Sequence, residues 1–290
     1  MPTPGDTLDI DAFWEYSDPA ASEARFHAAA TSAHGDERLE LLTQIARTYS
    51  LRQRFADAHT LLDEVEKQLS DVGSRPHIRY LLERGRTFNS SGDKEKARAL
   101  FVEAWTQTAA ADHEGLAVDA AHMVAITYAG TPDAITWTQR GLVMARPSQD
   151  AKARSLIPAM LNNCAWDLHD MGRYDEALSL FEEAQAEWIT RDKPAQIRVA
   201  KWAVARCLRS LGRYEEALTI QRVLEAEHAA LGSVDGYVFE EIGENLMALN
   251  QLQEARFYFS RAVAELSQDE WFEQHEAERL ANLKARTVSQ

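Results

Sequence analysis

Residues 161–185 read LNNCAWDLHDMGRYDEALSLFEEAQ, and this stretch contains the pattern that decides the fold. Gly172 divides it in two, and a glycine ends a helix well because it adopts the left-handed conformation without steric cost. The second part predicts an amphipathic helix, because its apolar and small residues recur at spacings of three and four. These residues are Tyr174, Ala177, Phe181 and Ala184.

The same hairpin pattern recurs along the chain with a period of about 40 residues. A small residue in each first helix marks the repeat, at separations of 39, 40, 40, 40 and 38 residues: Ala46, Gly85, Ala125, Ala165, Ala205 and Gly243. A second series lies in the second helices: Ala58, Ala97, Ala134, Ala177, Ala217 and Ala255. Small residues at every packing position predict an all-α stack of about six helix hairpins.

Two local departures interrupt this regularity. Ala134 arrives 3 residues early, which predicts a shortened turn in the third repeat. Pro158 stands where the first helix of the fourth repeat should begin, and proline is tolerated in a first turn but not in a helix interior. We therefore expect a separate helical piece, or a kink, over residues 148–157.

The ends of the chain have the features of capping segments. Asp18 followed by Pro19 is a favourable helix start, with an N-cap carboxylate and a proline at the first helical position. At the other end, residues 269–286 predict one charged amphipathic helix that closes the stack. The expected organisation is an N-terminal extension (1–18), a solenoid (19–266, with a capping helix at 19–33 and six repeats at about 36–266) and a C-terminal capping helix and tail (267–290).

Composition limits the classes of function. The net charge of −15 argues against general nucleic-acid or anionic-membrane binding, which needs a basic surface. The first 18 residues lack a signal-peptide pattern, and no apolar run is long enough to span a membrane. Cys164 and Cys207 lie in apolar helical stretches and are expected to be buried thiols, with a disulfide or a reactive pair as the alternative. We expect a cytoplasmic protein without cofactors.

The pattern G-x-Y-x-x-A-x-x-x-F-x-x-A, met in full by residues 172–184, resembles the tetratricopeptide repeat family. The resemblance covers about residues 39–266. The usual period of that family is about 34 residues, so this chain is more similar to long-period bacterial repeat proteins and to kinesin light chains. The resemblance implies a right-handed α-α superhelix whose first helices line a concave groove.

Within that implied groove, the central repeats contain an unusual set of side chains. A solvated helix face is normally rich in Glu, Lys, Gln and Ala, whereas this face carries aromatic, cationic and amide groups that bind peptides and carboxylates. We expect an extended peptide to place an apolar side chain on the tryptophans, an acidic or C-terminal group on the arginines, and a basic residue near the glutamates. The candidate residues are His122, Asn162, Trp166, His169, Trp202, Arg206, Arg209, Glu240 and Glu244.

Simpler interpretations of the same residues remain open at this point. Trp166 and Trp202 could be core residues, and the arginines could pair with nearby acids. Glu240, Glu241 and Glu244 could pair with the arginines across repeats, which would compete directly with binding of an anionic ligand.

The favoured function is a non-enzymatic scaffold or adaptor that binds a protein or peptide. The alternative is a receptor for a small molecule or a signalling peptide, which would need a deep pocket. An enzyme with His122 or His169 as general base is less favoured, and no catalytic or metal-binding motif occurs. The sequence does not decide whether Trp14 and Tyr16 dock on the stack or reach a partner.

Overall fold

A computed structural model describes residues 9–69, 74–108 and 113–288. Within these ranges the secondary structure is helical, without strands. The first eight residues of the expected N-terminal extension and the last two of the tail lie outside the described residues. Two compact units are distinguished, Met1–Met160 and Leu161–Gln290.

Unit 1 begins with a short 3-10 helix, Ile10–Phe13, and continues with paired helices. Each second helix packs against its own first helix, and α5 also packs against the first helix of the next repeat. Buried apolar residues from all the described repeats of this unit join in one cluster. The helices are α1 (Pro19–Ser32), α2 (Gly35–Leu51), α3 (Phe55–Glu66), α4 (Arg75–Ser90), α5 (Lys94–Thr108), α6 (Glu114–Thr127), α7 (Pro132–Ala145) and α8 (Ala151–Ser155).

Unit 2 contains most of α9, whose first turn belongs to unit 1, and the helices that follow it. Here too a second helix, such as α12, packs against both flanking first helices. The helices are α9 (Ile157–Asp170), α10 (Tyr174–Thr190), α11 (Pro194–Ser210), α12 (Tyr214–Ala230), α13 (Gly236–Ala248), α14 (Leu252–Leu266), α15 (Glu270–His275) and α16 (Ala277–Arg286).

The rows of small residues lie where first and second helices meet. Every alanine of both rows is at most 5% exposed, so the rows are core positions as predicted. At two positions even alanine would be too large. A Cβ added to Gly85 would lie 2.4 Å from the ring of Phe101, and one added to Gly243 would lie 2.7 Å from the ring of Phe259.

The predicted helix ends are present in the hairpin turns. Gly172 has a φ of 74°, and its backbone N–H donates to the carbonyl of His169 at 2.9 Å. Asn250 has a φ of 61° at the corresponding turn of the last repeat. Asparagine tolerates this region better than most residues, which explains how it replaces glycine there.

Both termini differ in detail from a simple pair of caps. Asp18 accepts hydrogen bonds from the backbone N–H groups of Ala20 and Ala21, so the predicted start of α1 is confirmed. The single helix expected over residues 269–286 is instead two helices, α15 and α16, separated at Glu276.

The separate piece expected before Pro158 is present as α8, and Pro158 lies in the first turn of α9.

Candidate functional site

The two candidate tryptophans of unit 2 lie on neighbouring first helices and contact each other. Trp166 of α9 and Trp202 of α11 have ring centroids 6.1 Å apart. Trp166 also packs edge-on against Phe181 of the second helix α10, at 4.9 Å. Both indoles are partly exposed. They are therefore neither fully buried core residues nor fully exposed surface residues.

Trp202 is further held by the next first helix. Its indole N–H donates to the carbonyl of Tyr237 at 3.4 Å, and its ring lies 6.4 Å from the Tyr237 ring. The Tyr237 ring in turn packs against the buried Phe272 of α15, at 5.8 Å. Because the indole is fixed by these contacts, ligand binding would cost little side-chain entropy.

Arg206 and Arg209, one and two turns further along α11, share one carboxylate. Arg209 donates to Glu241 of α13 from Nε to Oε2 at 2.7 Å and from Nη2 to Oε1 at 3.0 Å. The Nε of Arg206 lies 3.2 Å from Oε1 of the same carboxylate. Glu241 is only 1% exposed, whereas both arginines are partly exposed. The competing interpretation is thus confirmed for Glu241, which pairs with both arginines across repeats, although two cationic charges face this one buried anionic charge.

The pKa values of the two arginines are shifted in opposite directions: that of Arg206 is lowered and that of Arg209 is raised. Burial lowers the pKa of Arg206, and Arg209 lowers it further, against the raising effect of Glu241. For Arg209, burial also acts to lower the pKa, but its hydrogen bonds and charge attraction to Glu241 outweigh that effect and raise it. Glu241 thus compensates Arg209 more fully than Arg206. Both guanidinium groups stay charged at neutral pH.

His169 joins this cluster through a hydroxyl group. The Ser210 Oγ lies 2.9 Å from Nε2 of His169 and accepts a hydrogen bond from Nη1 of Arg206 at 2.8 Å. Burial, and next the charge of Arg206, lower the pKa of His169, so the ring is neutral at pH 7. Its Nδ1 is 3.6 Å from the Asp170 carboxylate, which is too long for a hydrogen bond.

The remaining predicted residues of unit 2 are one asparagine and two glutamates. Asn162 is partly exposed, four residues before Trp166 on α9. Glu240 accepts two hydrogen bonds from Arg279 of α16, at 2.8 and 2.7 Å, and Glu244 pairs with Arg286. Since the capping helix binds both carboxylates, we do not retain the expectation that they select a basic residue of a ligand. Burial raises the pKa of Glu240, with Arg279 opposing it.

His122 lies on α6, in unit 1. It is partly exposed, and burial lowers its pKa, with Asp119 opposing and Arg86 adding to that effect. Asp119 is bound instead by Arg86, whose Nη2 donates to both of its carboxylate oxygens, at 2.5 and 2.6 Å. Sequence patterns do not reveal this buried ion pair, because its partners are 33 residues apart.

The N-terminal segment docks on the first helices of unit 1. The Trp14 indole N–H donates to Oε1 of Gln44 at 3.1 Å, and its ring packs against Phe26 at 5.1 Å. Tyr16 stacks on Trp14 with centroids 4.8 Å apart, and the Arg47 guanidinium lies 5.3 Å from the centroid of the Trp14 ring. The question that the sequence left open is thus decided in favour of docking.

Two further features of the described residues concern metal binding and thiol reactivity. No group of three or more His, Cys, Asp or Glu suited to holding a metal ion occurs in the described part of the chain. Cys164 and Cys207 are buried free thiols, and burial raises the pKa of each to about 11. A thiol with so high a pKa is a poor nucleophile.

A cavity that sequence reasoning missed adjoins Trp202. Its volume is about 480 Å³, and it lies between α11, the end of α12 and the start of α13. The only sign of it in the sequence is an apolar residue, Val199, one turn before Trp202 on a first helix. In the structure Val199 is 66% exposed.

None of the described helices is long and apolar enough to cross a membrane.

Comparison with known proteins shows which proteins have a similar repeat and a similar fold. A sequence model of the tetratricopeptide repeat matches residues 159–185. No curated protein matches the sequence as a whole. Several solved structures share the fold at low identity, so they support the fold alone.

Three of these structures illustrate the likeness. A signal transduction ATPase with a tetratricopeptide repeat sensor from Pyrococcus horikoshii superimposes with a TM-score of 0.71 at 11% identity, over 92% of this chain and 42% of its own length. The apo form of RapI gives a TM-score of 0.70 at 13% identity, over 90% of this chain and 74% of its own length. NprR in complex with its cognate peptide NprX gives 0.56 at 15% identity, over 95% and 81%.

This chain spans less than half of the length of the Pyrococcus protein, and the match between the two shows a common fold only. The matched repeat, the all-α hairpin architecture and these neighbours agree with one another. The chain thus contains one matched tetratricopeptide repeat, at residues 159–185, and has the helical-hairpin fold of the tetratricopeptide repeat structures to which it is similar.

Proposed function

We propose that this protein is a non-enzymatic scaffold that binds an extended peptide, or a flexible segment of another protein, on the first helices of unit 2. The observation that carries the proposal is a pair of partly exposed, touching tryptophans beside two arginines that share one carboxylate. We call this set the tryptophan–arginine face: Trp166, Trp202, Arg206 and Arg209.

The residue types of this face favour binding over a purely structural role. Tryptophan and arginine are enriched among the residues that dominate binding energy. The exposed parts of Trp166 and Trp202 can cover an apolar side chain, while their buried parts keep the rings in place. A hydrophobic scaffold position would not need a ring that is left partly open to solvent.

The charge balance favours an anionic group on the ligand. Arg206 and Arg209 together carry two positive charges, and Glu241 supplies one negative charge. A carboxylate from an acidic side chain or a chain terminus would complete the balance by a charge-assisted hydrogen bond. The bond between Arg209 and Glu241 leaves Arg206 as the principal contact, with Asn162 and His169 as neighbouring polar groups.

The structures of two structural neighbours contain a bound partner. NprR is seen with its cognate peptide NprX, and a Rap protein is seen with the competence and sporulation factor. At identities of 15% these proteins support only the general idea that this fold can hold a peptide. We extend that idea to the present chain as part of the proposal, and we place its action in the cytoplasm, where the two free thiols would remain reduced.

A second candidate function is a receptor for a small molecule or signalling peptide. The cavity of about 480 Å³ beside Trp202 favours it, because ligand pockets typically have volumes of about 300–1,000 Å³. Catalysis by His122 or His169 as general base has less support, because Nδ1 of His169 lies 3.6 Å from the Asp170 carboxylate, beyond hydrogen-bond distance.

Affinity capture from a lysate of the source cells tests the proposal. The wild-type protein would be compared with a Trp166→Ala, Trp202→Ala, Arg206→Ala variant. A matched control is Trp137→Ala with Arg140→Ala, which removes a tryptophan and an arginine from the second helix α7 of unit 1. Circular dichroism would establish that all three proteins are equally helical.

The proposal predicts proteins that are retained by the wild type and the control but not by the triple variant. A small molecule lost with the triple variant would favour the receptor instead. Equal retention by all three proteins would show that the tryptophan–arginine face is not the binding site.

A further inference from the structure

The cavity beside Trp202 has apolar walls and an open apolar rim. Leu224 and Val238, which are each 1% exposed, form its buried part, and the partly exposed rings of Trp202 and Tyr237 also line it. Val199 stands at its edge with 66% of its surface exposed. Exposed valines are common one at a time, but this one adjoins a concave surface with two aromatic side chains.

Polar groups are confined to a few positions around the cavity. Asp235 uses Oδ1 to cap α13, accepting from the backbone N–H groups of Tyr237 and Val238 at 2.9 and 3.3 Å. Its Oδ2 lies 3.7 Å from Nε2 of His228. Arg198 of α11 is a third polar residue that lines the cavity. The other lining residues are apolar or aromatic, so the surface left for a ligand is mainly apolar. An apolar side chain would lose little and gain the burial of its surface.

Trp202 connects the cavity to the tryptophan–arginine face. It lines the cavity on one side and contacts Trp166 on the other. Along α11, Val199 and Arg206 are seven residues apart, or about 10 Å at about 1.5 Å per residue. An extended peptide advances about 3.3 Å per residue, so this distance corresponds to about three residues of ligand.

We propose that the cavity receives a bulky apolar side chain, such as phenylalanine or leucine, that lies three residues away from the carboxylate bound at Arg206 in the same peptide. This inference rests on the proposed function and specifies its ligand. The partner is therefore a protein segment with an apolar residue and an acidic or C-terminal group at fixed separation. The ligand runs beside α11 and spans from the α12–α13 connection to the arginines.

A set of synthetic peptides tests the spacing. Each labelled peptide is built from Gly and Ser, carries one phenylalanine one to six residues before its C-terminal carboxylate, and is titrated into the full chain by fluorescence anisotropy. A peptide without phenylalanine and peptides with an amidated C-terminus complete the set. We expect the tightest binding at a separation of three residues, by about tenfold over the peptide without phenylalanine.

Substitution of Val199 tests the location. Val199→Asp places a charge at the rim of the cavity, and Val143→Asp is the matched control, because Val143 is 72% exposed on α7 of unit 1. Val199→Trp, which blocks the cavity with an apolar group, guards against a purely electrostatic effect of the aspartate. The preference for phenylalanine should vanish in both Val199 variants and persist in the Val143 variant.

The outcomes separate this inference from the proposed function. Binding that needs the free carboxylate and Arg206 but ignores the position of phenylalanine would overturn the inference and leave the proposed function intact. A spacing preference that survives both Val199 substitutions would overturn the assignment to this cavity. Absence of binding by every peptide, at concentrations of up to about 1 mM, would contradict both.

Discussion

Arg209 of α11 donates two hydrogen bonds, of 2.7 and 3.0 Å, to the carboxylate of Glu241 of α13. The Nε of Arg206 lies 3.2 Å from Oε1 of the same carboxylate. Glu241 is 1% exposed, so one buried anion joins two neighbouring repeats and holds two cations at the proposed binding face. Glu241 thus takes part both in the packing of two repeats and in the proposed binding face.

Neutralising this carboxylate should destabilise the protein. Glu241→Gln removes the charged partner that both partly buried guanidinium groups contact, and the loss of one partner of a buried ion pair costs about 3–5 kcal/mol. Urea unfolding followed by circular dichroism measures the change. Glu216→Gln is the control, because Glu216 forms an exposed pair with Arg213 and should leave the midpoint unchanged. Equal midpoints for both variants would refute the structural role of Glu241.

The buried pair of Asp119 and Arg86 in unit 1 predicts a pH dependence of stability. Burial acts to raise the pKa of Asp119, but the charge and hydrogen bonds of Arg86 outweigh it and lower the pKa from 3.8 to about 2. A carboxyl group with a lowered pKa in the folded state contributes stability above its unfolded pKa. That contribution, about 2 kcal/mol, is lost as the pH falls from about 4 towards 2.

Comparison with an Asp119→Asn variant isolates this effect. The free energy of unfolding of the wild type should exceed that of the variant at pH 6, and the difference should shrink by about 2 kcal/mol between pH 4 and pH 2. A difference that stays constant over this range would show that Asp119 does not titrate with a lowered pKa.

Close approach of helices at Gly85 predicts an unusual response to alanine. In a helix interior alanine normally stabilises relative to glycine by about 1 kcal/mol. Here a Cβ would lie 2.4 Å from the Phe101 ring, so Gly85→Ala should destabilise by about 1–3 kcal/mol. Thermal unfolding of Gly85→Ala alone and together with Phe101→Leu measures it. The smaller leucine should recover part of the loss, and a stabilised single variant would contradict the packing.

Docking of the N-terminal segment predicts that Trp14 stabilises unit 1. Trp14→Ala removes the hydrogen bond to Gln44 and the contact with the fully buried Phe26, at a cost of about 1–3 kcal/mol. Hydrogen exchange of α1 and α2 should become faster. Tyr16→Ala, at a residue that is 55% exposed, serves as the comparison and should have a smaller effect. Unchanged exchange in Trp14→Ala would mean that the segment does not dock in solution.

The elements that could be predicted from the sequence are those set by local periodicity. The rows containing Ala165 and Ala177 identify the helix-packing positions, and Gly172 and Asn250 identify helix ends, because backbone conformation restricts residue choice there. The candidate tryptophans and arginines of unit 2 followed from their register on the first helices.

The remainder depends on contacts between distant residues. Arg279 reaches Glu240 across 39 residues, and the break at Glu276 that positions α16 has no strong helix-breaking residue. The partial exposure of Trp166 depends on how α9 and α10 pack, and the cavity beside Trp202 depends on the geometry of three helices. Periodicity places residues on a face but does not determine these distances.

Site-specific photo-cross-linking to the captured partner tests the central claim most directly. A photoreactive p-benzoylphenylalanine would replace Asn162, beside Trp166 on α9, and in a second protein would replace Ile189, which is 55% exposed near the end of α10. The account predicts cross-linking from position 162, its loss on Arg206→Ala substitution, and little cross-linking from position 189. Cross-linking from position 189 and none from position 162 would contradict it.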